Sequence, residues 1–320
     1  MSERSTAPPP ADTAQFLRLF TSVMLPMFMA AVDQTLLATA TPLIAAELGG
    51  LRDTSWIAVA YLLAAAATTP MYGRFGDRFG RRDTLLFALG VFTLGSIACA
   101  AAQTLGTLVG ARVLQGLGAG GLMTLSQALI GELVAPRERA RFQGYFAALF
   151  SLASIGGPLI GGLVVSQASW RWLFLVNLPL AAFAFWRLAT LPEGKRVDSG
   201  ATHDFAGIFL FVGAIVGSLY WLSSAGHRFA WASTESAVLG GASLALVAML
   251  VVHERRHPHP FLPLELLRMR AISFCALTTL LFAACMFAMV FFLPIYLQLG
   301  HSASAAASWS CRWGRPRSAW

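Results

Sequence analysis

The stretch GRFGDRFGRRD, residues 73–83, places four arginines and two aspartates between two runs that carry almost no charge. Each of these runs is close to the roughly 20 residues that an α-helix needs to cross the hydrocarbon core of a membrane. A short basic segment between two such runs is typical of a loop at the membrane surface. This stretch therefore predicts two membrane-spanning helices joined by a charged loop.

The composition of the whole chain supports the same conclusion. Of its 320 residues, 57% are hydrophobic and 12% are charged, and the mean hydropathy is +0.65, whereas soluble domains carry about 25% charged residues. The formal net charge of +8 lies mostly in short loops, so it indicates membrane topology rather than nucleic-acid binding. No GxxxxGK[ST] sequence occurs, so nothing indicates ATP. We expect an all-α polytopic membrane protein that is not an enzyme and uses no cofactor.

Nine apolar runs are long enough to be spans. They are residues 17–44, 55–73, 84–103, 105–131, 142–166, 169–190, 205–224, 234–253 and 271–298. Basic residues are concentrated in every second loop, and the positive-inside rule puts these loops and the N-terminal tail, residues 1–16, in the cytoplasm. The expected location is the inner (plasma) membrane of the cell, with membrane lipids as partners.

Two ionisable residues lie well inside predicted spans. Asp33 is mid-way along the first span, and Arg112 is in the early part of the fourth. A charge in the membrane interior costs roughly 3 kcal/mol or more, so such residues are functional candidates. A structural ion pair, or a side chain that reaches the membrane surface, is the alternative explanation.

The stretch HERRHPH, residues 253–259, has the histidines of a metal site. Its arginines repel divalent cations, so we expect no metal there. A basic loop that faces anionic lipid headgroups explains the stretch better.

Five segments in a fixed order resemble motifs of the major facilitator superfamily of secondary transporters and, within it, of the drug:proton antiporters with fourteen spans. The segments are VDQTLLATATP (32–42), GRFGDRFGRRD (73–83), LVGARVLQGLGAGG (108–121), ASIGGPLIGGLV (153–164) and WRWLFLVNLP (170–179). Departures from the family's usual residues occur at Ala38, Thr41, Phe75, Gly76, Arg82 and Ala153. The order of five motifs makes the resemblance specific.

The resemblance implies a role for the charged loop as a cytoplasmic gating latch. The residues of this latch are Gly73, Asp77, Arg78, Gly80, Arg81 and Arg82. Asp77, near the end of the second span, can accept hydrogen bonds from a helix N-terminus, where N–H groups are unsatisfied. A solvated topogenic loop would explain the arginines but not Asp77 and the glycines at this spacing.

The resemblance also implies a proton-coupling role for Asp33 and Arg112 and an antiporter motif in the fifth span. The motif consists of Gly157, Pro158, Gly161 and Gly162. The proline removes a backbone donor and the glycines leave room for a neighbouring helix, so we expect a kinked, closely packed helix that limits leak. Ordinary small-residue packing is the alternative.

The domain organisation follows from the same resemblance. The expected parts are an N-terminal six-helix bundle (17–190), a cytoplasmic loop (191–204), two inserted helices (205–253), a basic cytoplasmic loop (254–270), the first helix of a C-terminal bundle (271–298) and an aberrant tail (299–320). The composition changes abruptly in the tail, so we expect that the reading frame is interrupted near Ala305.

The expected function is proton-coupled export of hydrophobic, often cationic small molecules, with protons and the exported compound as partners. Because the rocking of two repeats needs both halves, we expect that this chain alone is an incomplete form that does not transport. Two alternatives stay open: an exporter of one narrow substrate, such as an antibiotic, a siderophore or a lipid, and a non-transporting membrane fragment or partner subunit. The sequence does not specify the oligomeric state.

Overall fold

A computed structural model describes residues 13–49, 54–134, 136–192, 204–226, 228–257 and 264–301. Most of the predicted N-terminal tail, of the loop at 191–204 and of the tail at 299–320 lies outside the described residues. The chain divides into two compact units, residues 1–253 and residues 254–320.

Helices make up nearly all of the described residues. The first unit contains α1 (Thr13–Leu48), α2 (Ser55–Phe79), α3 (Arg81–Ala100), α4 (Leu105–Leu133), α5 (Pro136–Gln167), α6 (Arg171–Leu175), α7 (Asn177–Ala189), α8 (Phe205–Ser224) and α9 (Thr234–Arg256), the last three residues of which belong to the second unit. The second unit contains a 3₁₀ turn (Leu264–Arg268) and α10 (Arg270–His301). Eight described segments are long and apolar enough to cross a membrane, which confirms the predicted all-α polytopic fold. The ninth predicted span, 271–298, lies within α10.

The predicted span at 169–190 consists of two helices rather than one. α6 ends at Leu175 and α7 begins at Asn177. Pro179 explains the interruption, because it has no N–H for the Leu175 carbonyl and its ring would clash with that carbonyl in a continuous helix. Proline is tolerated in the first turn of a new helix. The break therefore falls beside Asn177, which is buried.

Helix α4 lies at the centre of the packing in the first unit, where it contacts α1, α2 and α3. The glycines of QGLGAGG permit this close approach. A Cβ atom on Gly118 would lie 2.6 Å from the Ala88 carbonyl oxygen of α3, and one on Gly116 would overlap the Tyr61 carbonyl group of α2. Since lipid tails are as apolar as the helices, small residues at such contacts let the backbones approach. These glycines therefore let α4 pack closely against α2 and α3.

The other helices pack around this centre. α1 contacts α5 and α7, α3 contacts α6 and α7, and α2 contacts α8. α8 and α9 are joined by a hydrogen bond of 3.0 Å from Trp221 Nε1 to Ser236 Oγ. The apolar core forms two clusters, and α1 passes from one to the other between Ala30 and Ala31. Polar side chains occupy this boundary.

Candidate functional site

A buried ion pair joins α1 to α4 at the boundary between the two apolar clusters. Asp33 on α1 is 3% exposed, and Arg112 on α4 is 1% exposed. Arg112 Nη1 donates to Asp33 Oδ2 over 2.5 Å. The structure thus brings together the two residues that the sequence indicates as intramembrane charges.

Three uncharged side chains complete this polar network, which consists of the ion pair with Ser96, Gln115 and Asn177. Gln115 Nε2 donates to Asp33 Oδ1 and to Ser96 Oγ, each over 2.8 Å, and Gln115 Oε1 accepts from Arg112 Nη1 over 2.6 Å. Asn177 Nδ2 donates to the same Asp33 oxygen over 2.9 Å and to Ser96 Oγ over 3.3 Å. Helices α1, α3, α4 and α7 therefore meet in one hydrogen-bonded cluster.

The guanidinium of Arg112 is held on its other sides as well. Its Nε donates to the Ile57 carbonyl over 3.1 Å, and its Cζ lies 4.1 Å from the centre of the Tyr61 ring. The side chain of Arg112 is therefore held inside the helix bundle by these partners. Burying two charges often costs more than their attraction returns, so stability alone is a weak reason for this pair. The alternative of a purely structural pair stays open.

Ser96, Gln115 and Asn177 are not among the site residues predicted from the sequence. Gln115 lies three residues after Arg112, so both share one helix face, and this spacing is a signal that the sequence contains. Asn177 is the only asparagine in the chain. The direction of its side chain depends on the break between α6 and α7, which the apolar pattern does not indicate.

The glycine-rich segment of α5 packs against α1, the helix that carries the buried aspartate. Thr35 Oγ1 on α1 donates to the Ala153 carbonyl of α5 over 3.0 Å. A Cβ atom on Gly157 would overlap the Thr35 side chain, and one on Gly161 would lie 3.1 Å from the Leu36 carbonyl oxygen. These two glycines therefore set the distance between α1 and α5.

The other two residues of the predicted antiporter motif lie differently. Helix α5 continues through Pro158. Gly162 is exposed and has open space beside it within the described residues. The structure thus brings Gly157 and Gly161, but not Gly162, to the α1 contact.

Most of the predicted loop at residues 73–83 is helical: residues 73–79 belong to α2, residues 81–83 begin α3, and Gly80 joins the two helices. Gly80 has a φ of +95°, which glycine adopts without steric cost. Its N–H donates to the Gly76 carbonyl over 3.0 Å and so ends α2. Gly73 has open space beside it within the described residues, and the Arg78 guanidinium carbon lies 5.3 Å from the centre of the Phe79 ring.

Arg81 connects this turn to α4. Its Nη2 donates to Asp77 Oδ1 over 3.0 Å, its Nη1 donates to the Ala128 carbonyl over 2.6 Å, and its Nε lies 3.7 Å from Glu132 Oε2. Asp77 is 62% exposed at its side chain. The helix N-terminus that the sequence analysis expects as its partner stays a prediction.

Arg82 connects the same turn to α7. Its guanidinium donates to the Leu188 carbonyl over 3.1 Å and to the Ala189 carbonyl over 2.8 Å. These are carbonyl groups at the C-terminus of α7, where a cation also interacts favourably with the helix dipole. Arg81 and Arg82 therefore join four helix ends, which a purely topogenic loop does not require.

The histidine-rich stretch begins at a contact between α8 and α9. Asp204 Oδ1 accepts from the Gly207 N–H at the start of α8 over 2.7 Å, and His253 Nε2 on α9 lies 2.7 Å from the same oxygen. This contact joins the two helix ends. Residues 258 and 259 of the stretch lie outside the described residues.

These features define a class of protein. A bundle of membrane-spanning helices with a paired aspartate and arginine in its interior is typical of a membrane transporter. Residues 23–311 match the Major Facilitator Superfamily, and the chain belongs to this family. The predicted superfamily is confirmed, and membership of its fourteen-span antiporters stays a prediction.

Similar proteins match nearly the whole chain. The multidrug transporter protein MdtP of Bacillus subtilis (strain 168) is 35% identical over 294 residues, which are 91% of this chain and 54% of MdtP. The efflux pump FUS6 of Gibberella moniliformis (strain M3125 / FGSC 7600) is 33% identical over 304 residues, which are 92% of this chain and 54% of FUS6. The chain spans about half the length of these curated relatives.

A solved structure shows the same fold. The proton:xylose symporter XylE bound to 6-bromo-6-deoxy-D-glucose matches with a TM-score of 0.55 at 14% sequence identity. The match covers 92% of this chain and 65% of the XylE chain. At this identity the likeness concerns the fold alone.

Proposed function

We propose that the protein is a proton-coupled exporter of hydrophobic, often cationic small molecules in the inner (plasma) membrane, with its N-terminus in the cytoplasm. The buried pair of Asp33 and Arg112 is the observation that carries this proposal. The relatives named as a multidrug transporter and as an efflux pump support export as the direction.

Proton coupling follows from the charges that the bundle buries. When Asp33 takes up a proton, Arg112 becomes a buried positive charge without a negative partner. Such a charge is costly in a medium of low dielectric constant. The protonated and the ionised Asp33 therefore favour different arrangements of α1 and α4. A difference in proton affinity between two arrangements couples proton binding to a conformational change.

The contact between α1 and α5 supports an antiporter. Gly157 and Gly161 bring α5 into close contact with α1, so a displacement of the helix with the proton-binding aspartate would act directly on the helix with the antiporter motif. Pro158 and Gly162 complete the motif. Close packing leaves little space through which protons leak past Asp33.

The turn between α2 and α3 would act as the cytoplasmic latch. Arg81 and Arg82 bind the ends of α4 and α7 within the N-terminal bundle, so their hydrogen bonds would hold these helix ends in place while the two halves of the transporter move. Gly73, Asp77 and Arg78 lie near the end of α2, and Gly80 joins α2 to α3. We assign to these residues together the role of a gate.

The domain organisation is part of the proposal. Residues 17–190 would form the N-terminal bundle, residues 205–253 the two inserted helices of a fourteen-span transporter, and residues 271–298 the first helix of the C-terminal bundle. Because alternating access needs two repeats around a central site, export is proposed for a transporter that contains both halves.

Proton release in everted membrane vesicles tests the proposal. The vesicles come from bacterial cells that lack their own multidrug pumps and express this sequence joined to the second half of a transporter, and an acridine dye reports the proton gradient. Addition of a hydrophobic cation such as tetraphenylphosphonium should dissipate part of the gradient. Asp33→Asn should abolish this response while membrane insertion stays normal.

A matched variant controls for the loss of one carboxylate. Glu235→Gln changes an exposed carboxylate at the start of α9 and should respond like the wild type. A normal response of Asp33→Asn would remove Asp33 from the coupling role. If the wild type responds to no compound in a panel of cations and neutral apolar molecules, proton-coupled export is wrong. A response to a single compound class would identify a narrow-substrate exporter.

A further inference from the structure

Asn177 is the member of the polar network whose amide is least constrained. Its side chain is 1% exposed, at the break between α6 and α7. Its two hydrogen bonds in the network, to Asp33 Oδ1 and Ser96 Oγ, both come from Nδ2. The Gln115 amide is held through both ends, because its oxygen accepts from Arg112 and its nitrogen donates to Asp33 and Ser96.

All of these groups face Asp33 as donors. Its Oδ2 accepts from Arg112, and its Oδ1 accepts from Gln115 and Asn177. This arrangement suits an ionised carboxylate, which is an acceptor only. A protonated carboxyl group has one O–H donor, and that donor needs an acceptor in place of one of the present N–H groups.

Arg112 and Gln115 are poorly suited to supply this acceptor. A guanidinium has no acceptor atom. Rotation of the Gln115 amide would turn its N–H₂ group towards Arg112 and break two charge-assisted bonds. Rotation of the Asn177 amide by about 180° exchanges two groups of nearly the same shape and leaves the Arg112 contacts intact.

We propose that Asn177 is a positioning residue that rotates its amide when Asp33 takes up a proton, so that its carbonyl oxygen accepts the hydrogen bond of the new carboxyl group. The proton binds Asp33 Oδ1 and donates to Asn177 Oδ1. Ser96 Oγ, which accepts from Asn177 before the rotation, then donates its own hydrogen to the same amide oxygen. Gln115 Nε2 continues to donate to Ser96. Asp33, Ser96 and the Asn177 oxygen thus keep partners, and Asn177 Nδ2 gives up the two acceptors that it has in the ionised state.

The surroundings of Asp33 are compatible with this exchange. The charged or titratable groups near it are Arg112 from α4, Tyr61 from α2, which stacks on Arg112, and Cys99 from α3, whose sulfur lies 3.6 Å from Gln115 Oε1. The buried residues that α5 and α6 contribute to the adjoining apolar cluster include Ala153 and Phe174, and the centre of the Phe174 ring lies 6.0 Å from Arg112 Cζ. Among the groups near Asp33, the Asn177 amide is thus the uncharged group that can change from donor to acceptor without breaking a hydrogen bond to Arg112.

The inference rests on the proposed proton uptake by Asp33. An isotope label on Asn177 distinguishes a failure of the amide rotation from a failure of the proton uptake. Because the chain contains one asparagine, growth with asparagine labelled with ¹³C at the side-chain carbonyl marks Asn177 alone. Infrared difference spectra of the protein in lipid nanodiscs are recorded through a pH titration. The C=O band of a protonated carboxyl group that the wild type shows and the Asp33→Asn variant lacks reports the protonation of Asp33.

We expect the labelled amide band to shift with the same pH midpoint as the Asp33 band. A silent amide band beside a titrating Asp33 would overturn the amide rotation and leave the proposed function standing. An Asp33 band that does not titrate at all would overturn both.

Variants at position 177 give a second measurement. Asn177→Leu removes both the donor to the ionised carboxylate and the acceptor for the carboxyl O–H. Because the hydrogen bond to the charged form is the stronger one, the pH midpoint of the Asp33 band should rise by about one pH unit. Asn177→Ser keeps a group that can donate and accept, so its midpoint should lie closer to that of the wild type. An unchanged midpoint in a folded Asn177→Leu protein would show that Asn177 is structural only. If Asn177→Leu does not fold, the labelled wild type decides.

Discussion

Removal of one member of the buried pair at a time should reduce stability unequally. In Arg112→Met, Asp33 keeps the amide donors of Gln115 and Asn177, and a carboxylate in an apolar site can neutralise itself by taking up a proton. In Asp33→Asn, the guanidinium cannot lose its proton and stays a buried charge. We therefore expect the greater loss in Asp33→Asn.

The magnitude follows from the burial of both groups. Breaking a buried ion pair by removing one partner costs about 3–5 kcal/mol, so we expect a loss of about 4 kcal/mol for Asp33→Asn and about 3 kcal/mol for Arg112→Met. The double variant has no buried charge and loses mainly the packing and the Ile57 hydrogen bond of the guanidinium, about 3 kcal/mol. The sum of the single losses exceeds the double loss by about 4 kcal/mol, which is the expected coupling energy.

Unfolding of the purified proteins in mixed micelles with a rising fraction of dodecyl sulfate measures these free energies through tryptophan fluorescence. Additive losses in the double variant would refute the pairing of Asp33 with Arg112. A greater loss in Arg112→Met than in Asp33→Asn would refute the argument that only the carboxylate can neutralise itself.

Two further predictions concern packing and pH. Gly118→Ala should lower the free energy of unfolding by about 1–3 kcal/mol in the same assay, because its Cβ would lie 2.6 Å from a backbone carbonyl oxygen of α3. Gly110 has open space beside it within the described residues, so Gly110→Ala should raise the free energy of unfolding by up to about 1 kcal/mol. Equal effects of the two substitutions would contradict this reasoning. Hydrogen bonds from Arg171 and Trp170 hold the pKa of Glu47 below its ordinary value of 4.5. Its contribution to stability should thus be complete above pH 4.5 and be lost as the pH falls through the lowered pKa. Thermal unfolding should show Glu47→Gln less stable than the wild type at neutral pH but not at low pH, and a difference independent of pH would contradict the linkage.

The sequence predicts the spans well, because the thickness of the membrane sets the length of an apolar run. It predicts the helix ends less well. α2 continues to Phe79 and α5 begins at Pro136, although the apolar runs are 55–73 and 142–166. Charged residues at the membrane surface can continue a helix in water, and hydropathy does not detect this part.

The candidate site is predictable where a single residue is costly. Asp33 and Arg112 stand out because a charge in an apolar run is expensive whatever its neighbours are. Ser96 and Asn177 are polar but uncharged, so their positions in the sequence give no comparable signal. Their partners lie on other helices, and only the packing brings these helices together.

The polar network itself depends on the packing of α3 against α4. A Cβ atom on Gly95 would lie 2.7 Å from Gln115 Cβ, so glycine at this position lets the two backbones meet. At this distance Gln115 Nε2 reaches both Asp33 on α1 and Ser96 on α3. No hydrophobic force brings helices together inside a membrane, so small residues and hydrogen bonds carry their association. The contacts that hold these helices together are therefore the same ones that position the charged pair, and a change in helix packing changes the polar network with it.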